Sequence, residues 1–274
     1  MLIEIQPLNE LNMDVYLACG GHPQDEKIDE AQWQGMQTKR RWVETMIPEG
    51  LGARVAFCED YPAGFAEFLP IEIAPAPVLG KDLLFITDIH VTSNDKGGRI
   101  NLEHLGIGKL LVRSVEQFAR EKGYKGMATL ALLGKRLPEG FYESVGFKLI
   151  QQIDELCLLW YPFMQDIDEP RIWEGNFKPA VREDGVHVDI IRTPQCPGMV
   201  APDIWRRVTG EYDDTVSYSE TLAADRSKMD ISCVTGCAGV YVNGNKVSCH
   251  FASTEEIRSI IDRELGKLHR ASSA

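Results

Sequence analysis

The chain has 274 residues, a length that a typical domain of about 150 residues divides into two domains. Hydrophobic residues make up 44% and charged residues 26%, with 24 glycines and 14 prolines, which excludes disordered, collagen-like and coiled-coil readings. Lys plus Arg is 29 against 41 Asp plus Glu, and the resulting net charge of −12 repels nucleic-acid phosphates and anionic lipid surfaces, so neither nucleic acid nor membrane is an expected partner.

The amino-terminal MLIEIQPLNELNMD has no basic region and no small-residue cleavage site, and a mature cytoplasmic protein is expected. Met1 to Pro7 reads as an edge strand. From Asp29 to Met46, the residues Trp33, Met36, Gln37, Arg40, Val43 and Met46 recur at helical spacing. Alternation then predicts three strands, Ala53 to Cys58, Ala63 to Glu72 and Leu83 to Thr92, separated by Glu59-Asp60-Tyr61-Pro62 and Gly80-Lys81-Asp82. These form an antiparallel meander.

From Gly106 the period changes. Ile107, Leu110, Leu111, Val115, Phe118 and Ala119 share one helical face, with Arg120 and Lys122 in the last turn and Gly123 as the stop. A strand-like run from Gly126 to Leu133 follows, then a short helix from Pro138 to Val145, then Phe147 to Phe163 with room for two strands. The longest apolar run, Leu156 to Met164, falls far short of the ~20 residues that a membrane span needs. A mixed α/β unit therefore closes near residue 165, and Pro162, Pro170 and Pro179 among acidic residues mark 166–180 as a linker.

The second unit, 181–274, begins with a strand from Val186 to Ile191 and a short helix from Ala201 to Val208. Strands are predicted near Val216, at Val240 to Val242 and at Lys246 to Cys249, the last two joined by Asn243-Gly244-Asn245. The closing helix carries a capping box, Ser253 with Glu256, and apolar Ile257, Ile260, Ile261 and Leu265. Seven cysteines with no C-x-x-C spacing point to reduced thiols, and no metal site is assigned. Cys233, Cys237 and Cys249 can meet around the hairpin as a metal site, a disulfide or free thiols, of which buried free thiols are the default.

The stretch Glu103-His104-Leu105-Gly106-Ile107-Gly108-Lys109 carries the chemistry. Two glycines at a helix start let backbone N–H groups approach an anion, and the positive end of the helix dipole favours a diphosphate there. The alternative is a plain tight turn, and the G-x-G-x-x-G spacing of a dinucleotide fold fails at Leu111. On the preceding strand Asp88 and His90 are the nearest titratable groups, and alternation sends them to one face with Ile86 beside them. Each is a candidate base or an ordinary strand side chain. Glu67 and Glu72 on the strand before are further candidate bases, with solvated side chains as the default reading.

A second element, Gly140-Phe141-Tyr142-Glu143-Ser144-Val145-Gly146-Phe147, follows another strand. The pairing of HLGIGKLL with GFYESVGF over residues 1 to 165 resembles the GNAT superfamily of acetyl-CoA-dependent N-acetyltransferases. That resemblance implies an α/β (α+β) fold with a mixed, mostly antiparallel central sheet and acetyl-CoA as co-substrate. It assigns Ile89, His90 and Val91, on a bulged central strand, to the acetyl and pantetheine parts. It assigns the backbone of His104, Leu105, Gly106, Ile107, Gly108, Lys109 and Leu110 to the pyrophosphate. Tyr142 matches a tyrosine that in many relatives protonates the departing thiolate, the alternative being a ring that only packs against the sheet, and Glu103 stands where the family usually has Gln or Arg.

The second unit looks like a thioredoxin-type fold in which Thr193-Pro194-Gln195-Cys196-Pro197-Gly198-Met199 takes the place of the redox motif, with Met199 replacing the second cysteine. The whole arrangement resembles the YoaP-like acetyltransferases. Transfer of an acetyl group to a primary amine, on a small molecule or a peptide, is the expectation; the sequence leaves the oligomeric state open, with a homodimer as the commonest soluble assembly. The alternative is a thiol-linked sensor using Cys196, whose thiol precedes a helix that lowers its pKa.

Overall fold

The structure is a computed structural model that describes residues 2–19, 30–92, 102, 105–133, 139–173, 177–195, 200–223, 239–247 and 253–271. Alternating apolar residues along the first half fold into β1 (Ile3–Pro7), β2 (Gly52–Cys58), β3 (Tyr61–Pro70) and β5 (Leu83–Val91), each antiparallel to the one before it in the sheet. Between β1 and β2 lie α1 (Met13–Leu17) and α2 (Glu30–Met46). Next come α3 (Ile107–Glu121), β6 (Gly126–Leu132), α4 (Glu139–Glu143), β7 (Lys148–Ile153) and β8 (Leu156–Pro162). The sheet order is β1-β2-β3-β5-β6-β8-β7, with β5 and β6 its parallel pair.

Each face of this sheet packs its own core. On one, Tyr16 and Leu17 of α1 and Met36, Trp42 and Val43 of α2 meet Val55, Phe65, Leu69, Leu83 and Phe85. On the other, Ile107, Leu111, Val112, Val115 and Ala119 of α3 meet Ala66, Phe68, Leu84, Ile86 and Ala131. The α3 stripe runs through Val112, while Leu110, expected on it, is exposed. Its end is built as the sequence suggests. Gly123 takes φ +81°, the amide of Tyr124 donates to the Ala119 carbonyl and that of Gly123 to Arg120, a left-handed C-terminal motif that satisfies two carbonyls left open by the helix.

Two local predictions are corrected. The second meander strand ends at Pro70, and Ile71–Ile73 turns as a 3-10 helix rather than continuing the strand to Glu72. The proline-rich linker holds a short strand, β9 (Arg171–Ile172), which pairs antiparallel with β4 (Val78–Leu79) and so returns to the first unit. A two-residue strand has no periodicity to read.

The second sheet has the order β11-β10-β12-β13, built from β10 (Val186–Arg192), β11 (Val216–Leu222), β12 (Gly239–Val242) and β13 (Asn245–Val247). β10 and β11 are parallel, and the other pairs are antiparallel. α5 (Val200–Thr209) and α6 (Thr254–Ala271) bury Trp205, Val208, Ile257 and Ile261 against Val186, Val188 and Ile190. The hairpin between β12 and β13 turns on Asn243 and Gly244, both at positive φ, as two-residue hairpin loops require. The capping box closes reciprocally, with the Glu256 amide donating to Ser253 Oγ at 3.2 Å and the Ser253 amide to Glu256 Oε2 at 2.7 Å. Glu103, His104, Cys196, Cys233, Cys237 and Cys249 lie outside the described residues.

Candidate functional site

β5 and β6 run together only from Leu83 opposite Gly126 to Ile86 opposite Thr129. Beyond that point β5 continues to Val91 against β3, and β6 continues to Leu132 against β8. The two strands part, and Ile89, His90 and Val91 turn one backbone edge into the opening. Thr129 stands at its apex, where its hydroxyl donates to the Ile86 carbonyl at 3.0 Å.

A bulge sets the parting. Glu67 pairs with Asp88 and Phe68 with Ile86, so Thr87 is an extra residue with no partner across from it on β3. One inserted residue raises local twist and shifts side-chain alternation by one position. As a result Ile86 and Ile89 both lie in the core on the α3 side. His90 is sent to the other face, where its ring stacks on Phe65 with centroids 6.0 Å apart. Placing Ile86 beside Asp88 and His90 is therefore incorrect, because simple alternation takes no account of a bulge.

The face that carries Phe65 also holds a buried polar cluster. Glu67, read from sequence as solvated, is 0% exposed. Its carboxylate accepts hydrogen bonds from the Tyr16 hydroxyl, from Thr87 Oγ1 at 2.6 Å and from Gln195 Nε2 at 3.0 Å. The Lys39 ammonium lies 3.6 Å away and is itself buried, over the rings of Tyr16 at 4.1 Å and Phe65 at 5.0 Å. A buried carboxylate needs a counter-charge and several donors to offset its lost hydration, and both are present. Burial pushes the Tyr16 phenol well above its ordinary range, with the Glu67 charge adding to the shift. Both members were visible as anomalies: Glu67 falls between Phe65 and Leu69 on one strand face, and Lys39 between Met36 and Val43 on one helix stripe. Glu72, by contrast, is exposed and accepts the Asp82 amide at 2.6 Å.

Tyr142 occupies the α3 side of the opening, 1% exposed, in a core with Ile89, Ile107, Leu111 and Ala131. Phe141 and Phe147 flank its ring at 5.1 and 5.5 Å, and its hydroxyl hydrogen-bonds with Thr129. Burial raises its pKa, which the Thr129 hydrogen bond lowers in part and the Asp88 charge raises further. Asp88 also raises the pKa of Tyr16, which lies on the face that carries Phe65.

At the mouth, α3 begins on Gly106, whose φ of +75° is left-handed and whose missing Cβ would meet nothing within 4 Å. Ile107, Gly108 and Lys109 are the first three helical residues, whose amides have no intrahelical acceptor, and no side chain caps this end. The Leu110 amide already donates to the Gly106 carbonyl at 3.1 Å, so it is not available to an anion. Leu105 is half-buried. Gly108 serves packing: a Cβ there would stand 3.0 Å from Phe141 Cζ and 3.8 Å from Val91 Cγ2, which brings α3, α4 and the end of β5 together. The residues present fit an extended ligand that pairs with a strand edge and carries an anion at its far end.

No family model matches the chain, and no curated protein matches it. Among solved structures it is similar to the PaiA N-acetyltransferase of Thermoplasma acidophilum in complex with coenzyme A, at 15% identity and TM-score 0.42, over 60% of this chain and 100% of that one. It is also similar to AAC(6')-Iy in complex with a CoA-linked bisubstrate analog, at 14% identity and TM-score 0.43, over 56% and 95%. A third is the ribosomal-protein-alanine N-acetyltransferase of Brucella melitensis, at 20% identity and TM-score 0.40, over 62% and 99%. Among the described residues no helix is long and apolar enough to cross a membrane.

Proposed function

We propose that the chain is an acetyl-CoA-dependent N-acetyltransferase that moves the acetyl group directly to a primary amine. The observation that carries this reading is the parting of β5 from β6 beyond Ile86 and Thr129, with the Ile89 to Val91 stretch of β5 on one side and a buried tyrosine hydroxyl at the apex. The GNAT-like pairing of HLGIGKLL with GFYESVGF falls on the two elements that flank this opening, α3 and α4. The backbone of Ile89 to Val91 takes the acetyl and pantetheine portion, and the amides of Ile107, Gly108 and Lys109 take the pyrophosphate at a positive helix end.

The chemistry follows from these parts. An amine with a lysine-like pKa of about 10 arrives protonated and must lose that proton before attacking the thioester. Asp88 and His90, on the face away from Tyr142, are the candidate acceptors of that proton. Attack on the carbonyl carbon makes a tetrahedral oxyanion, for which a strand amide such as that of Val91 is the donor. Collapse breaks the carbon–sulfur bond, and the Tyr142 hydroxyl gives its proton to the leaving thiolate. Burial keeps that hydroxyl protonated through neutral pH. The acidic balance favours a cationic acceptor such as a polyamine, an aminoglycoside-like compound or a lysine side chain.

The second unit is read as thioredoxin-type. Its support is the strand arrangement, with the first two strands parallel and adjacent and the last two antiparallel at the far side. Residues 1–165 are then the transferase, with 166–180 joining it to 181–274.

Calorimetric titration of acetyl-CoA into the full-length reduced protein tests the reading. Gly106→Asp is the control, because Asp tolerates a left-handed position and its carboxylate repels a diphosphate at the helix start. One-site binding that the variant loses supports the assignment. No binding to the wild-type chain overturns it.

A further inference from the structure

The first unit does not close the Glu67 cluster by itself. Its partners come from α1, α2 and the β5 bulge, and the remaining one is Gln195, 128 residues further along the chain and in the second unit. Gln195 is 4% exposed and follows β10 in the segment that leads to α5, and α5 contacts α2. Both Thr87 and Gln195 donate to the same oxygen, Glu67 Oε1. Tyr16 and Lys39 approach the other, Oε2. The carboxylate is thus a junction that ties the bulged residue of β5 to the second unit.

We propose that the second unit is a working part of the transfer site, with Gln195 as a positioning residue that acts through Glu67 and Thr87 on the β5 bulge. This inference rests on the transferase reading for its kinetic consequence, and on the hydrogen-bonded chain alone for its structural one. Thr87 is adjacent to Asp88 and two residues from Ile89, so fixing its hydroxyl fixes how β5 runs beyond the bulge. Glu67 binds no substrate in this scheme. Its role is to hold the bulge in one geometry, and Gln195 supplies the donor that aligns Oε1 with Thr87. The second unit then contributes to transfer without touching the reacting atoms.

The test uses the full-length chain with Gln195→Met, which keeps the side chain's length and removes its donor. Two readouts are taken beside a thermal melt: hydrogen exchange of the peptide that spans Thr87 to Val91, and thiol release from acetyl-CoA with spermidine as the probe amine and water as the background acceptor. Exchange in that peptide about tenfold faster than wild type, with peptides from β7 and β8 unchanged, is the expected structural result. A kcat lowered about 10- to 100-fold, with KM for acetyl-CoA within about twofold, is the expected kinetic result. A Met variant that melts, exchanges and turns over as wild type does overturns the proposal. If that variant does not fold, Gln195→Asn, which keeps the carboxamide on a shorter arm, carries the same two readouts. A wild-type chain that neither binds nor consumes acetyl-CoA overturns the transferase reading instead, and the exchange result then decides the coupling between Gln195 and the bulge by itself.

Discussion

The Thr129 hydroxyl donates to the Ile86 carbonyl at the last paired position of β5 and β6, and hydrogen-bonds with the Tyr142 hydroxyl. One side chain thus stands where the strand pairing ends and hydrogen-bonds with the proposed acid. Thr129→Val keeps the shape and removes both hydrogen bonds. A loss of about 1–3 kcal/mol in stability is expected, because two buried polar groups lose their partner. Urea denaturation measures it, and an unchanged midpoint would show that neither bond matters to the fold.

Tyr142→Phe removes the hydroxyl and leaves the ring between Phe141 and Phe147. Transfer is expected to fall about 100-fold or more, with acetyl-CoA affinity retained, since general acid catalysis contributes about 10²–10⁴-fold. The pH profile carries a second mark. The donor acts while protonated, and its pKa is raised from 10.0, so the alkaline limb belonging to Tyr142 falls above that value. Wild-type activity that declines with an apparent pKa near 8 would assign that limb to another group.

Glu67→Leu strands four polar groups at once: Tyr16, Thr87, Gln195 and the Lys39 ammonium. Removing one member of a buried ion pair costs about 3–5 kcal/mol. The double variant Glu67→Leu with Lys39→Met removes the orphaned charge and is expected to recover most of that loss. Equal destabilisation in the single and double variants would mean that the pair is not coupled.

In the second unit Glu220 ties β11 to β10 through Arg192 and to α5 through Arg206, and Tyr218 of the same strand also donates to it. Burial pushes its pKa up, but the Arg192 hydrogen bond and charge, followed by the Arg206 and Tyr218 hydrogen bonds, outweigh that and hold it below 4.5. A depressed carboxylate stabilises the fold above its unfolded pKa and loses that contribution as pH falls through the folded value. Glu220→Gln is therefore expected to lose about 1.5–3 kcal/mol near neutrality. The gap from wild type should shrink as pH drops below 4.5, the ordinary value for this carboxylate. Thermal melts across that range decide it, and a gap independent of pH would assign the loss to packing.

Local pattern alone determined much of this protein. The α3 stripe with its Gly123 stop, the meander from 52 to 91, the Ser253–Glu256 capping box and the Asn243-Gly244 hairpin all follow from interactions a few residues apart, which the order of residues specifies directly. So did the start of α3 at Gly106 and the placing of Tyr142 on a short helix. Tertiary structure decided which face Asp88 and His90 occupy, because the Thr87 bulge is set by register against β3 and shifts alternation by one residue. Only the folded chain also shows that Glu67 and Lys39 are buried together. A charged side chain enters a core when distant elements bring it a counter-charge and donors, and here those come from as far away as Gln195.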